Sequence, residues 1–147
     1  MATIIHSRWA AGTTATPRPQ SAGAVHAVKF RHSFATALAA AAILELGVLP
    51  PYAQIVDYKL VPEGDFAGVT ASGGVMTGEL GADSDVRNAG TELFSAATAL
   101  TAVAAPDKAT AYNVAASDQA RGIGLKFSAA VAADATKKLT LILFYTQ

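Results

Sequence analysis

The sequence predicts an all-β fold, an antiparallel β-sandwich of the jelly-roll type with an extended N-terminal arm. Three observations favour this fold. Seven or eight short apolar or alternating segments follow one another along the 147 residues. Turn residues separate them roughly every ten positions, which is typical of sandwiches and jelly rolls. No alternation of strands with long helical segments is found, and such alternation would indicate an α/β fold. We expect an arm over residues 1–22 and a sandwich domain over residues 23–147.

The arm begins with a short apolar stretch and carries the only tryptophan of the chain, Trp9. Residues 12–21 contain almost nothing to bury, and their two prolines favour an extended path. Such a segment is a loosely packed terminus, or it wraps its own domain, or it reaches a neighbouring subunit. We expect the last of these, which makes Ile4, Ile5 and Trp9 candidate interface residues.

Four strands are predicted in the first half of the domain. They cover residues 24–34, 43–49, 55–61 and 69–80. Pro50 and Pro51 force a corner between the second and the third strand. The fourth contains Gly73, Gly74 and Gly78, and glycine inside a strand indicates a bulge or the close approach of another backbone. Residues 35–42 fit either two helical turns or a short connector.

The second half is predicted to end in a β-hairpin. The preceding segments are a helical turn followed by a strand within residues 92–105, and a strand at 112–115. The hairpin strands are residues 121–131 and 139–145, with the polar residues 134–137 as their turn. In the last strand Ile142 and Phe144 make the second face apolar as well as the first. Because such a strand lies between two layers or against another subunit, Ile142 and Phe144 are candidate interface residues.

Composition indicates a protein that associates with other chains. Charged residues make up only 15% of the sequence, against roughly 25% in an average domain, and alanine is abundant, so the core is thin. We therefore expect a homo-oligomer, with a trimer as the first choice. The net charge is zero, which gives no long-range field toward nucleic acid or an acidic membrane surface. We expect neither of these as a partner.

No motif predicts an active site or a cofactor. The segment Gly68–Gly74 has the first glycine spacing of a phosphate-binding loop but lacks the lysine that should follow. Gly122 and Gly124 begin a dinucleotide fingerprint, but Phe127 stands where the third glycine is needed. The chain has no cysteine, which excludes disulfides, thiolate metal sites and a cysteine nucleophile. We predict no catalytic residues and no cofactor.

Metal binding is not predicted either. His26 and His32 lie six residues apart on one strand, about 20 Å at ~3.3 Å per residue, which is too far for one ion. Asp83, Asp85 and Asp118 carry oxygen ligands of the kind that calcium prefers, but they lack the spacing of an EF-hand. Solvated acidic turns explain them more simply.

Two segments carry a resemblance to a known family. The stretch Ile-Leu-Glu-Leu-Gly-Val-Leu-Pro-Pro-Tyr-Ala-Gln-Ile-Val-Asp over residues 43–57 resembles a segment of small tailed-phage virion proteins. In those proteins a strand ends in a proline turn and leads to a second strand and then a glycine-rich one, as at residues 69–80. The closing residues 128–147 are similar to their last strands. The resemblance covers the chain from Ile43 onward.

The resemblance implies a non-enzymatic virion protein. Its members are described as head decoration, cement or other structural components, and jelly-roll-like sandwiches are common among them. We expect a decoration protein that binds and stabilises the head shell, with the major capsid protein or other virion proteins as partners. It would be made in the host cytoplasm and reside on the capsid surface.

Two alternatives remain open. The protein could belong to the tail or neck of the virion. It could also be a jelly-roll carbohydrate-binding module, which would need exposed aromatic residues. The candidates for that role are Trp9, Tyr52, Tyr58, Tyr112 and Tyr145.

Overall fold

A computed structural model describes residues 3–15, 23–83, 86–105 and 108–147 of the chain. Eight strands and one short 3-10 helix lie in these ranges. The strands are β1 (Ile4–His6), β2 (His26–Phe34), β3 (Ile43–Leu49), β4 (Gln54–Glu63), β5 (Thr70–Val75), β6 (Phe94–Ala99), β7 (Arg121–Phe127) and β8 (Asp134–Thr146). The 3-10 helix is Ala109–Asn113.

The strands form two sheets, and the predicted all-β sandwich is confirmed. One sheet has five strands in the order β1-β3-β7-β5-β6, and the other has three in the order β2-β8-β4. Neighbouring strands are antiparallel except β1 and β3, which are parallel. Buried apolar side chains from both sheets form one large cluster between them.

The three-stranded sheet follows the period of two that its sequence predicts. In β2 every second residue from Val28 to Phe34 is buried or half-buried, and the residues between are exposed. The central strand β8 pairs with β2 on one side and β4 on the other. Phe30, Tyr58 and Leu141 are fully buried on the inner face. Burying an apolar side chain of this size contributes about 1.5–3 kcal/mol to the free energy of folding. This burial therefore stabilises the packing of the three-stranded sheet against the other sheet.

Glycines let the chain pack a loop directly on the outer face of the five-stranded sheet. A Cβ atom on Gly74 would lie 2.7 Å from the carbonyl carbon of Gly90, and one on Gly124 would lie 2.8 Å from Met76. Such distances are too short for a side chain, so the described residues 76–83 and 86–93, which we call the covering loop, pack on bare backbone. The close approach expected for the glycine-rich strand is confirmed.

The Pro50-Pro51 corner carries the chain from one sheet to the other. β3 ends in the five-stranded sheet at Leu49, and β4 begins in the three-stranded sheet at Gln54. Tyr52 takes a left-handed backbone conformation with φ 60°, and its N–H donates to the carbonyl of Ser117 at 2.6 Å. The predicted pair of strands around a proline corner is confirmed.

The described part of the N-terminal segment packs on its own domain. β1 pairs with β3, and Trp9 is 8% exposed with its ring edge-on to Phe30 at 5.3 Å. Trp9 therefore belongs to the core cluster of its own domain, and its part in an interface stays a prediction. Ile4 and Ile5 are half-buried, and their part in an interface stays a prediction. The division of the chain at residue 22 lies in a stretch outside the described residues.

Three local predictions were wrong. The two C-terminal strands do not form a hairpin, because β7 belongs to the five-stranded sheet and β8 to the other. The polar residues 134–137 are part of β8, where Asp134 pairs with Phe34. Residues 92–105 contain β6 without a helical turn, and residues 112–113 end the 3-10 helix instead of starting a strand.

Candidate interface

The outer side of the three-stranded sheet is the face that the described residues leave open to solvent. Inner and outer residues alternate, and the strand register places the outer ones in rows across the sheet. We call this surface the open face. Its residues are Ala27, Lys29, Arg31 and Ser33 of β2, Lys138, Thr140, Ile142, Phe144 and Thr146 of β8, and Gln54, Val56, Asp57, Lys59, Val61 and Glu63 of β4.

Apolar residues occupy one end of the open face. Phe144 lies between Ala27 and Asp57 in the register, and the bulged residue Val56 is 42% exposed beside it. Val25, just before β2, is 58% exposed. Ile142 in the next row is half-buried, as is Phe144. The two residues of the last strand predicted to face a partner lie at this end of the open face, and their contact with a partner stays a prediction.

Basic side chains flank the apolar end. Lys29 and Lys59 lie on either side of Ile142 in one row, and neither forms an ion pair with any residue that the structure describes. Arg31 donates two hydrogen bonds to the carboxylate of Glu63, at 2.7 and 2.5 Å. Both partners are about half exposed, so this pair contributes under about 1 kcal/mol. The open face carries four basic and two acidic side chains in all, a net charge of +2.

The outer side of the five-stranded sheet is covered by the chain itself. Every residue of β3 is buried, and Ile43 packs with Met76 and Ala89 of the covering loop in a small cluster of its own. The two sheets thus differ sharply. Among the described residues, the five-stranded sheet has buried side chains packed on both of its sides, whereas the three-stranded sheet has them on its inner side only.

A buried ion network fixes the covering loop on β3. Glu45 is fully buried, and Arg87 donates to both of its carboxylate oxygens, at 2.5 and 3.1 Å. His6 contacts the same carboxylate through Nδ1 at 2.5 Å and Asp83 through Nε2 at 2.9 Å. Because a buried charge is tolerated only when it is paired, this network ties β1, β3 and the loop together. Its role is structural, since each side chain is engaged with another of the network.

Two shallow clefts flank Arg121, each of about 400 Å³. The guanidinium donates from Nη2 to the carbonyl of Ala115 at 2.8 Å, and its Nε is buried without a partner among the described residues. One cleft is lined by the carboxylate of Glu79 and the other by that of Glu92. Among the described residues, the lining of each cleft contains one glutamate and Arg121, and neither lining includes a histidine or a second carboxylate.

The remaining candidates from the sequence are dispersed. His32 contacts the ring of Phe34 at 5.0 Å, and burial lowers its pKa below 6.5. Asp83 is engaged by His6, and Asp85 lies outside the described residues. Within residues 3–15, 23–83, 86–105 and 108–147 no three His, Cys, Asp or Glu side chains are grouped as a metal site. No helix in the same ranges is long and apolar enough to cross a membrane.

The aromatic residues considered for carbohydrate binding are split between core and surface. Trp9, Tyr58 and Tyr145 are buried, and burial raises the pKa of Tyr145. Tyr52 is 63% exposed and Tyr112 is 49% exposed. Tyr52 follows the proline corner and Tyr112 belongs to the 3-10 helix, so the two exposed rings sit on different elements.

Comparison with solved structures finds the same fold in phage capsids. The chain is similar to a chain in the capsid of Ralstonia phage GP4, with 32% sequence identity over 99% of this chain and 98% of that chain and a TM-score of 0.85. A chain of the cyanophage Pam1 capsid asymmetric unit has 19% identity and a TM-score of 0.58, over 90% of this chain and 91% of that one.

A third match is the acid-stable capsid of Helicobacter pylori bacteriophage KHP30, with 14% identity and a TM-score of 0.50 over 86% and 90% of the two chains. At their low identities, this match and the Pam1 match show a shared fold alone. Comparisons with protein-family models and with curated proteins find no match.

Proposed function

The chain belongs to the family of small phage virion structural proteins that includes the matching chain of the Ralstonia phage GP4 capsid, and from this premise we propose that it is a decoration or cement protein of the head. In this role it has no enzymatic activity and binds the outside of the shell, with the major capsid protein as its partner. Binding by many copies stabilises the assembled shell, because a ligand that binds only the assembled state shifts the equilibrium toward it.

The observation that carries the proposal is the open face. An antiparallel sheet with one face in the core commonly presents polar residues on its solvated face. The described residues cover one outer surface with a loop and leave the other open, and this open face is largely polar but carries Phe144, Ile142 and Val56 at one end. Such an arrangement suits a small protein that attaches to a larger surface.

Self-association is a further part of the proposal. Only 15% of the residues are charged, and we propose a homo-oligomer, with a trimer as the first choice. In a symmetric oligomer several open faces engage the shell together, which raises the overall affinity without any new contact. Light scattering of the purified protein at micromolar concentration tests this directly, and a well-folded monomer would contradict it.

The decisive functional experiment compares particles with and without the protein. Particles that lack it should still assemble, but they should release DNA at a lower temperature and on milder osmotic shock than complete ones. Adding back the purified protein should restore resistance. If stripped and complete particles resist heat and shock equally, or if the protein is found only in the tail, the proposal fails.

A further inference from the structure

We propose that the open face is the surface that binds the shell, and that it recognises an apolar patch with acidic side chains at its rim on the shell protein. This inference rests on the proposed function and adds the chemistry of the partner. The partner is a folded protein surface, recognised by an apolar end and a basic row that lie side by side on one sheet.

The apolar end supplies the part of the contact from which water is excluded. Phe144 projects from the central strand, and Val56 and Val25 are 42% and 58% exposed beside its row. Aromatic residues near the centre of an interface carry a disproportionate share of the binding free energy. The bulge at Val56 adds a residue to β4, so that Val56 and Asp57 both lie on the outer side next to Phe144.

The basic row sets the chemistry of the partner. Lys29 and Lys59 flank Ile142 and have no carboxylate partner among the residues that the structure describes. Two copies of this chain stacked face to face would bring two surfaces of net charge +2 together, which electrostatic repulsion disfavours. A partner that places carboxylates opposite the two lysines gains electrostatic attraction, whereas a second copy of this chain meets repulsion. The charge of the face therefore favours the shell protein over self-stacking.

The size of the face predicts weak binding by a single copy. Three strands about 4.8 Å apart and nine residues at ~3.3 Å each give a footprint of roughly 15 by 30 Å, or about 450 Å². A standard interface covers about 800 Å² on each partner. One face thus supplies about half of a standard contact, so firm attachment requires several copies acting together.

The experiment measures binding of purified protein to particles that lack it, by co-sedimentation over a range of protein concentrations. Three variants are compared with the wild type. Phe144→Lys places a charge at the apolar end, and the double variant Lys29→Glu with Lys59→Glu reverses the basic row. Lys126→Glu reverses one lysine of β7, which belongs to the other sheet, and serves as the control. Circular dichroism and thermal melts confirm the fold of each. If Phe144→Lys does not fold, Val56→Lys at the exposed bulge replaces it.

We expect Phe144→Lys and the double lysine variant each to weaken binding at least tenfold at low salt, and Lys126→Glu to bind within twofold of the wild type. If folded open-face variants bind like the wild type while the wild type still protects particles, the surface is wrong and the function stands. If the variants change the oligomeric state and leave shell binding intact, the open face contacts a second copy and the inference is overturned. If the wild type itself does not bind, both proposals fail.

Discussion

Replacing Trp9 with alanine tests whether the N-terminal segment belongs to the core of its own chain. The indole is 8% exposed and meets Phe30 edge-on at 5.3 Å. Truncating a buried tryptophan removes the transfer free energy of the ring and leaves a cavity, which together cost about 3–5 kcal/mol. In a domain of about this size, each kcal/mol lowers the melting temperature by roughly 2–4 °C. We therefore expect Trp9→Ala to melt roughly 6–20 °C below the wild type.

The measurement is a thermal melt followed by circular dichroism, supported by urea denaturation. Val103→Ala is the matched control, because Val103 is 56% exposed and its truncation should change the free energy of unfolding by less than about 0.5 kcal/mol. The reasoning is refuted if Trp9→Ala melts like the wild type and instead impairs assembly. That result would indicate that Trp9 contacts another subunit instead of stabilising its own domain.

Three further predictions concern the rest of the fold. Glu45→Gln leaves the buried guanidinium of Arg87 without its counter-charge, so we expect a loss of about 3–5 kcal/mol in the free energy of unfolding, measured in urea. Gly74→Ala places a methyl group against the backbone of Gly90 and should lower the melting temperature, and an unchanged value would show that the covering loop can shift. Burial lowers the pKa of His32, so the unfolded chain takes up a proton at a higher pH than the folded one; stability should therefore rise as the pH increases to about 6.5, and His32→Gln should reduce that slope.

The strands and their faces could be predicted because both depend on local patterning. The alternation in β2 and β8 identifies their inner residues without knowledge of their neighbours. The same pattern marked Ile142 and Phe144 as apolar residues on the second face of β8. Their place on the open face follows from how the two sheets and the covering loop pack among the described residues, which a local pattern does not contain.

The partners of the strands could not be predicted in the same way. β7 and β8 follow one another in sequence, and a polar stretch between them has the composition of a hairpin turn. They nevertheless belong to different sheets. β7 pairs with β3 and β5, whereas β8 pairs with β2 and β4. A short polar segment can extend a strand as well as end it, and Asp134 does so opposite Phe34.

The ion network has a signal in the sequence at Glu45. Glu45 interrupts an apolar strand, and a carboxylate at such a position requires a buried cation. Its partner Arg87 lies 42 residues away in a loop that has no regular pattern. The need for a partner is therefore visible in sequence, but the identity of the partner depends on how the loop folds back over the sheet.

The most direct test of the account is a cryo-EM map of the particle that carries this protein. The account predicts symmetric copies on the outside of the head shell, with the three-stranded sheet facing the shell and Phe144 in the contact. Density confined to the tail, or copies whose open face points to solvent with no partner, would contradict it.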